Sequence, residues 1–347
     1  MLIFQQCNII TLHLISVHFE TKENIMRVNK FILLASTAIA TSISAAHADV
    51  SVITSIKPLH SLVSGVMDGV GSPNIIVDGA VSPHSYSLKP SQARDLQEAD
   101  IVFWFGRDLE TFLEKPIEAI SSDANIVKLL DTEGLLKLNF REGGPFSEHD
   151  HDDHDDHKDH DDHDDHKDHD EHDHGEYDPH VWLDPQNASI LVQKISDELS
   201  AIDSANAANY ANNAAKMKNQ LNELVEELTI ELKPLSDEGY IVFHDAYQYF
   251  EKRFGISAVG SVTVSPEILP GVERTKELRH KVTDLEASCV FSEPQFEPKL
   301  VEILVEGTEV GTGVLDPLGA SIQNGPDLYF KLIRNMASSL KNCLLKS

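Results

Sequence analysis

The chain has 347 residues, of which 41% are hydrophobic and 24% are charged. This composition is typical of globular proteins and excludes a wholly disordered or fibrous chain. It carries 57 acidic and 28 basic residues, a formal net charge of −29. Because so negative a chain is repelled by phosphate backbones and anionic lipids, we expect no nucleic-acid partner and no binding to an anionic membrane. The length favours two domains or one large α/β domain.

The segment over residues 26–48 has the form of a secretory signal. Two basic residues open it, an apolar run occupies residues 31–43, and small residues stand just before Asp49. The apolar run is too short to span a bilayer. We therefore predict a signal peptide over residues 26–48 and export to the periplasm. We also predict an over-called start, meaning that translation begins at Met26 and residues 1–25 are not part of the protein. Since no cysteine stands just after the apolar run, we expect no stable membrane anchor.

The sequence predicts two α/β lobes, the first over residues 49–203 and the second over residues 234–347. Short apolar, β-branched runs alternate with helical stretches, which indicates doubly wound α/β lobes with parallel strands. The predicted strands of the first sheet are Val50–Ile56, Asn74–Val77 and Asp100–Phe105. Those of the second sheet are Tyr240–His244, Ala258–Val262, Cys289–Ser292 and Val310–Leu315.

A low-complexity loop interrupts the first lobe over residues 148–175. Residues 148–174 hold 15 acidic residues, two lysines and ten histidines, with no apolar residue to bury. We therefore predict a disordered loop. We interpret its histidines as weak sites that collect divalent metal, and the alternative is a solvated insert with no role. These histidines are His149, His151, His154, His157, His160, His163, His166, His169, His172 and His174.

A long amphipathic helix is predicted between the two lobes, over residues 204–233. Apolar residues recur at spacings of three and four from Met217 to Leu232, with lysine and glutamate between them. No glycine or proline interrupts the pattern before Pro234. As the only connection between the lobes, such a rigid helix would limit the movement of one lobe relative to the other.

Two cysteines remain once the leader is removed, Cys289 and Cys343. An even number of cysteines in an exported chain favours one disulfide between them. The alternative is two separately buried thiols.

Three histidines outside the leader and the loop have similar settings. His84 lies in the loop after the second strand, His180 stands just before a helix, and His244 ends a strand. Since ligands of parallel α/β sheets bind outside the carboxyl ends of the strands, these three can converge on one crevice. Three imidazoles with one oxygen form a normal tetrahedral zinc shell. Each alone is better explained as structural, as we interpret His60 and His280, so the case depends on the three together.

Five motifs carry a resemblance to a known family. They are SPHSYSLKPSQARDLQEADIVFWFG (82–106), PHVWLDP (179–185), GYIVFHDAYQYFEKRFG (239–255), SEPQF (292–296) and LDPLG (315–319). In this order the chain resembles the cluster A-I metal-binding proteins of ABC importers, and its histidine-rich loop resembles that of their zinc-uptake members. The resemblance covers nearly the whole chain after the leader. It implies two α/β lobes joined by a long helix, with one metal in the cleft between them.

The resemblance implies that His84, His180 and His244 bind the metal. Many members add an aspartate that corresponds to Asp316, whereas some zinc members have a glutamate where this chain has Pro83. The fourth ligand is therefore either Asp316 or a water. Three imidazoles favour zinc over manganese, and the manganese members often have an acid in place of His244.

The family also implies how the protein works. We expect a monomer that captures Zn²⁺ as its transported ligand and delivers it to the membrane permease of an ABC importer. It would not be an enzyme. The alternatives are the same importer class with manganese or iron as cargo and a zinc-dependent hydrolase, but the sequence has neither HExxH nor a GxSxG turn.

Overall fold

Two four-stranded parallel sheets form the framework of the protein. A computed structural model describes residues 50–141, 146, 175, 177–263 and 271–345. The predicted over-called start, the signal peptide and the ten loop histidines lie outside these residues.

The first sheet has the strand order β2-β1-β3-β4, in which each neighbouring pair is parallel. Its strands are β1 (Val52–Ile56), β2 (Asn74–Val77), β3 (Ile101–Trp104) and β4 (Asn125–Lys128). Its helices are α1 (Lys57–Val66), α2 (Pro90–Gln97), α3 (Thr111–Ile120) and α4 (Pro185–Ile202), and a 3₁₀ turn covers Leu129–Asp131. Both β1 and β3 are buried along their whole length, as expected of parallel strands with helices on both faces.

A short 3₁₀ turn, Val181–Leu183, leads into α4. Asp184 ends this turn and accepts a hydrogen bond from the Gln186 backbone N–H at 2.8 Å, with Pro185 at the first helical position. An aspartate cap followed by proline is a strong signal for a helix start. The cap therefore fixes the point at which the chain turns after His180.

The predicted linking helix is α5 (Ala207–Leu232), and a 3₁₀ turn over Lys233–Leu235 follows it. Its buried residues recur at helical spacing and include Met217, Leu221, Leu224 and Leu228. This stripe packs against α1 and α4. The predicted period was therefore the correct guide to the buried face.

The second sheet has the strand order β6-β5-β7-β8, again with parallel neighbours. Its strands are β5 (Tyr240–His244), β6 (Ala258–Thr263), β7 (Cys289–Ser292) and β8 (Gly311–Val314). The helices after α5 are α6 (Gln248–Phe254), α7 (Val272–Asp284), α8 (Lys299–Val305) and α9 (Leu328–Leu344). Two sheets of this order confirm the predicted fold class of two doubly wound lobes.

The last helix, α9, brings the chain back to the first lobe. It packs against β8 of the second sheet, and also against α1 and α5. Ser61 of α1 donates to the Pro326 carbonyl at 3.1 Å and accepts from the Tyr329 backbone N–H at 2.9 Å. One continuous apolar core therefore includes residues of both lobes, while a second, smaller core lies on the other face of the second sheet.

A disulfide joins Cys289 in β7 to Cys343 in α9. Gly311 of β8 lies against it, since a Cβ there would stand 3.0 Å from the Cys343 sulfur and 3.2 Å from the Cys289 sulfur. The bond therefore fastens the last helix to the interior of the second sheet, across a glycine that leaves room for it.

Among the helices of the described residues, none combines the length and the apolar character that crossing a membrane requires.

Candidate metal centre

The structure brings His84, His180 and His244 together. His84 lies in the loop between β2 and α2, His180 directly precedes the 3₁₀ turn, and His244 is the last residue of β5. The Nε2 atom of His180 lies 3.4 Å from that of His84 and 3.5 Å from that of His244. Among the described residues these three form the one group of His, Cys, Asp or Glu side chains close enough to hold a metal ion.

Two carboxylates hold the other ring nitrogens. Asp178 Oδ1 lies 2.6 Å from His180 Nδ1, and Glu293 Oε1 lies 2.6 Å from His244 Nδ1. A carboxylate accepts the Nδ1 proton, so the Nε2 atom of each ring keeps its lone pair. Two Nε2 lone pairs therefore face one another at 3.5 Å, and a cation between them removes their repulsion.

The surroundings of His84 favour its neutral form, and aromatic rings lie beside the other two histidines. The His180 ring lies 5.2 Å from the Trp182 ring, and the His244 ring lies 6.1 Å from the Phe296 ring. Burial lowers the pKa of His84 well below its ordinary value, and the neighbouring His180 and His244 lower it further. A metal ligand must be unprotonated, so this environment prepares His84 for coordination.

Asp316 lies outside the cluster. Its Oδ1 accepts from the backbone N–H of Leu318 at 3.1 Å and of Gly319 at 2.9 Å, and its Oδ2 accepts from that of Ala320 at 2.6 Å. The Gln295 side chain donates to Oδ1 at 3.0 Å. The carboxylate thus caps the turn that follows it, and its role as a ligand stays a prediction.

Sequence reasoning missed Asp178 and Glu293. Glu293 lies within the motif SEPQF (292–296), whereas Asp178 directly precedes the motif PHVWLDP (179–185). Asp178 stands two residues before His180, a spacing at which a side chain can reach the ring. No comparable local signal exists for Glu293, because it is 49 residues from His244 and reaches it only through the pairing of β5 with β7.

Helix α6 connects the second lobe to the histidine motif of the first. Gln248 donates to Asp178 Oδ2 at 2.7 Å, and the Tyr249 hydroxyl donates to the Asp178 carbonyl at 2.7 Å. Arg253 donates to both oxygens of Asp184, at 2.6 and 2.7 Å. The residue that orients His180 is thus itself positioned by the helix that follows His244.

Arg141 makes a second ionic link of the same kind. Its guanidinium donates to Asp245 and Glu251 in the second lobe and lies 4.1 Å from the centre of the Phe146 ring. Burial alone would lower the pKa of Arg141, but the hydrogen bonds to Asp245 and Glu251 outweigh it and raise that pKa. Arg141, which precedes the acidic loop in the chain, is therefore held against Asp245, the residue after His244.

Known proteins resemble the chain over most of its length. The profile of the family described as zinc-uptake complex component A, periplasmic, matches residues 52–343. The high-affinity zinc uptake system protein ZnuA of Brucella suis biovar 1 is 57% identical over 306 residues, which is 85% of this chain and 92% of that protein.

Two solved structures share the fold. A ZnuA variant with residues 138–173 of its own numbering deleted and zinc bound has a TM-score of 0.65 at 22% identity, over 85% of this chain and 98% of that one. The laminin-binding protein Lmb of Streptococcus agalactiae, described as having adhesin and metal-transporting activity, has a TM-score of 0.67 at 23% identity, over 85% and 99%. The family inferred from the motifs is therefore confirmed: the chain belongs to the periplasmic zinc-uptake complex component A family.

Proposed function

We propose that this protein captures Zn²⁺ in the periplasm and delivers it to the membrane permease of an ABC importer. His84, His180 and His244 bind the metal through Nε2. The observation that carries the proposal is the convergence of these three atoms, two of which keep their lone pairs because Asp178 and Glu293 hold the opposite ring nitrogens.

The ligand set favours zinc over manganese. Zinc–nitrogen bonds of about 2.0–2.1 Å at tetrahedral angles separate two ligand atoms by about 3.3–3.4 Å, which suits the Nε2 separations of 3.4 and 3.5 Å. Three imidazoles also suit zinc better than manganese, which prefers carboxylate and other oxygen ligands.

The relatives support the cargo and the partner. The Brucella suis relative is named as part of a zinc uptake system, which agrees with a zinc-binding component that works with a permease. Export by a signal peptide over residues 26–48 and metal collection by the histidine-rich loop complete the proposal. In this role the chain binds and releases its ligand unchanged, as a monomer and without catalysis.

Isothermal titration of the chain from Asp49 onward tests the proposal. Zinc should bind tightly at one site, and His84→Ala, His180→Ala and His244→Ala should each weaken that site at least a hundredfold. His280→Ala, on an exposed position of α7, is the matched control and should bind as the unaltered chain does. Unchanged tight binding in the first three variants would exclude this site.

Dialysis against equal zinc, manganese and iron, followed by elemental analysis, tests the cargo. Zinc should be retained at about one ion per chain by the tight site. Retention of manganese or iron in its place would favour the alternative cargo.

A further inference from the structure

The Gln295 side chain is hydrogen-bonded to Asp316 and shares a cavity with the histidine cluster. Together with the three histidines it lines one small cavity, whose walls also include Trp182. Its Nε2 donates to Asp316 Oδ1 at 3.0 Å. Its Oε1 is buried and has no hydrogen-bond partner among the described residues.

Asp316 determines which way the Gln295 amide faces. A carboxylate only accepts hydrogen bonds, so the NH₂ group of the amide must face it and the oxygen must face away. Asp316 cannot turn aside, because three backbone N–H groups of the following turn hold its two oxygens. The amide oxygen is thus held in place as an acceptor, and a buried acceptor without a donor costs free energy.

We propose that Gln295 Oε1 accepts a hydrogen bond from an exchangeable water that completes the zinc shell, and that Asp316 orients Gln295 without binding the metal. The inference rests on the proposed function. Three neutral imidazoles leave one position of a zinc tetrahedron open. A zinc-bound water has O–H groups to donate, and the metal makes them stronger donors. A carboxylate in that position would have no proton to offer Oε1.

The arrangement suits a protein that must give up its cargo. A neutral water leaves zinc more easily than a carboxylate does, since no charge attraction opposes its departure. The open side of the shell is then the place where a ligand from the receiving permease enters. Gln295 stabilises the loaded state without adding a charge that would hold the metal back.

A double-mutant cycle tests whether Gln295 and Asp316 act on the metal site as one unit. Gln295→Leu and Asp316→Ala should each lower zinc affinity about tenfold, and the double variant should lose no more than the larger single loss. Gln323→Leu, at an exposed position close to the same turn, is the matched control. Losses that add in the double variant, or full affinity in Gln295→Leu, would overturn the inference.

Visible spectroscopy on the cobalt-loaded, unaltered chain gives a test that does not depend on the folding of any variant. Azide should replace the water and shift the cobalt absorption bands. Gln295→Leu should change the azide concentration needed, whereas Gln323→Leu should not. A spectrum insensitive to azide would mean that no exchangeable ligand is present. Failure of the unaltered chain to bind zinc would instead contradict the proposed function.

Discussion

Asp178 and Glu293 hold the Nδ1 protons of His180 and His244 and so fix the tautomer and the orientation of each ring. Replacing such a carboxylate by an amide weakens its hold on the ring proton and loosens the ring. We expect Asp178→Asn to lower zinc affinity by about 10–100-fold. Asp131→Asn, on an exposed aspartate that pairs with Lys128 at 3.4 Å, is the control and should leave the affinity unchanged. Competition with a fluorescent zinc chelator measures both, and equal affinities would contradict a tautomer-fixing role.

Glu110 is fully buried in the first lobe, where Ser55 and the backbone N–H groups of Phe105 and Gly106 donate to it. Burial raises the pKa of Glu110 to about 7, although these three donors lower it. A carboxyl whose pKa is raised on folding binds its proton more strongly in the folded state. Its contribution to stability is therefore full below its unfolded pKa and declines as pH rises toward 7.

We expect the metal-free chain to lose stability relative to Glu110→Gln as pH rises from 4.5 to 7. A pKa difference of this size corresponds to about 3 kcal/mol. Urea unfolding of both proteins at several pH values measures the change. A constant offset is expected from the different hydrogen bonding of glutamine, so only the slope matters. Parallel curves would mean that folding does not raise the pKa of Glu110.

The three histidines of the proposed metal site could be predicted because each lies beside a recognisable element. His84 follows β2, His180 precedes a capped helix, and His244 ends β5. Gln295 and Glu293 could not be predicted in the same way. Their function depends on which atoms meet across β5, β7 and the turn after Asp316, and hydrophobic periodicity carries no information about such contacts.

Among the helices and strands, the short helix α6 links the second lobe to the first through side-chain hydrogen bonds and an ion pair. Arg253 pairs with an Asp184 side chain that is 0% exposed. We expect Arg253→Ala to cost about 2–3 kcal/mol, because it removes a charged hydrogen-bond partner from a buried carboxylate. Chemical denaturation of the metal-free chain measures the loss.

The control for that substitution is Arg334→Ala. Arg334 also forms a two-oxygen pair, with Glu227, but both side chains are nearly half exposed. An exposed pair is worth less than about 1 kcal/mol. Equal losses in the two variants would mean that the contact between α6 and the first lobe adds nothing beyond an ordinary surface pair.

The histidine-rich loop should be separable from the tight site. We expect a variant lacking residues 149–174 to keep one strong zinc site and to lose the weak ones. The reason is that the three histidines of the proposed site lie on β5, before the turn that leads into α4 and in the β2–α2 loop, all outside the deleted residues. Calorimetry counts both classes of site. Disappearance of the strong site with the loop would contradict the ligand assignment.

Most elements could be read from the sequence. The predicted strands at Asn74–Val77, Tyr240–His244 and Cys289–Ser292 have the observed bounds, because apolar β-branched runs between turn residues define them. The strand β4 was missed, since it is four residues long and only one of them is buried. The return of α9 to the first lobe was also missed, because a buried helical face does not reveal its partner.

At the scale of the whole molecule, the disulfide holds the last helix, α9, to the second sheet. The bond closes a loop with a sequence separation of 54 residues, which in the chain-entropy model stabilises the fold by about 4 kcal/mol. We expect the double variant Cys289→Ala, Cys343→Ala to unfold at correspondingly lower urea concentration. A reducing agent should bring the unaltered chain to the same midpoint and leave the variant unaffected. An unaffected midpoint in the variant would exclude a stabilising role.

The packing of α9 against α1 also means that the core of the first lobe is completed only after the last helix has been made. Proteins of several domains commonly fold from the N-terminus while the rest of the chain is still being made. Here the apolar face of the first lobe stays uncovered until Leu328–Leu344 has arrived, and His244 is added long after His84. A chain that ends before Leu328 therefore lacks the helix that completes this core, although all three histidines of the proposed metal site have already been made.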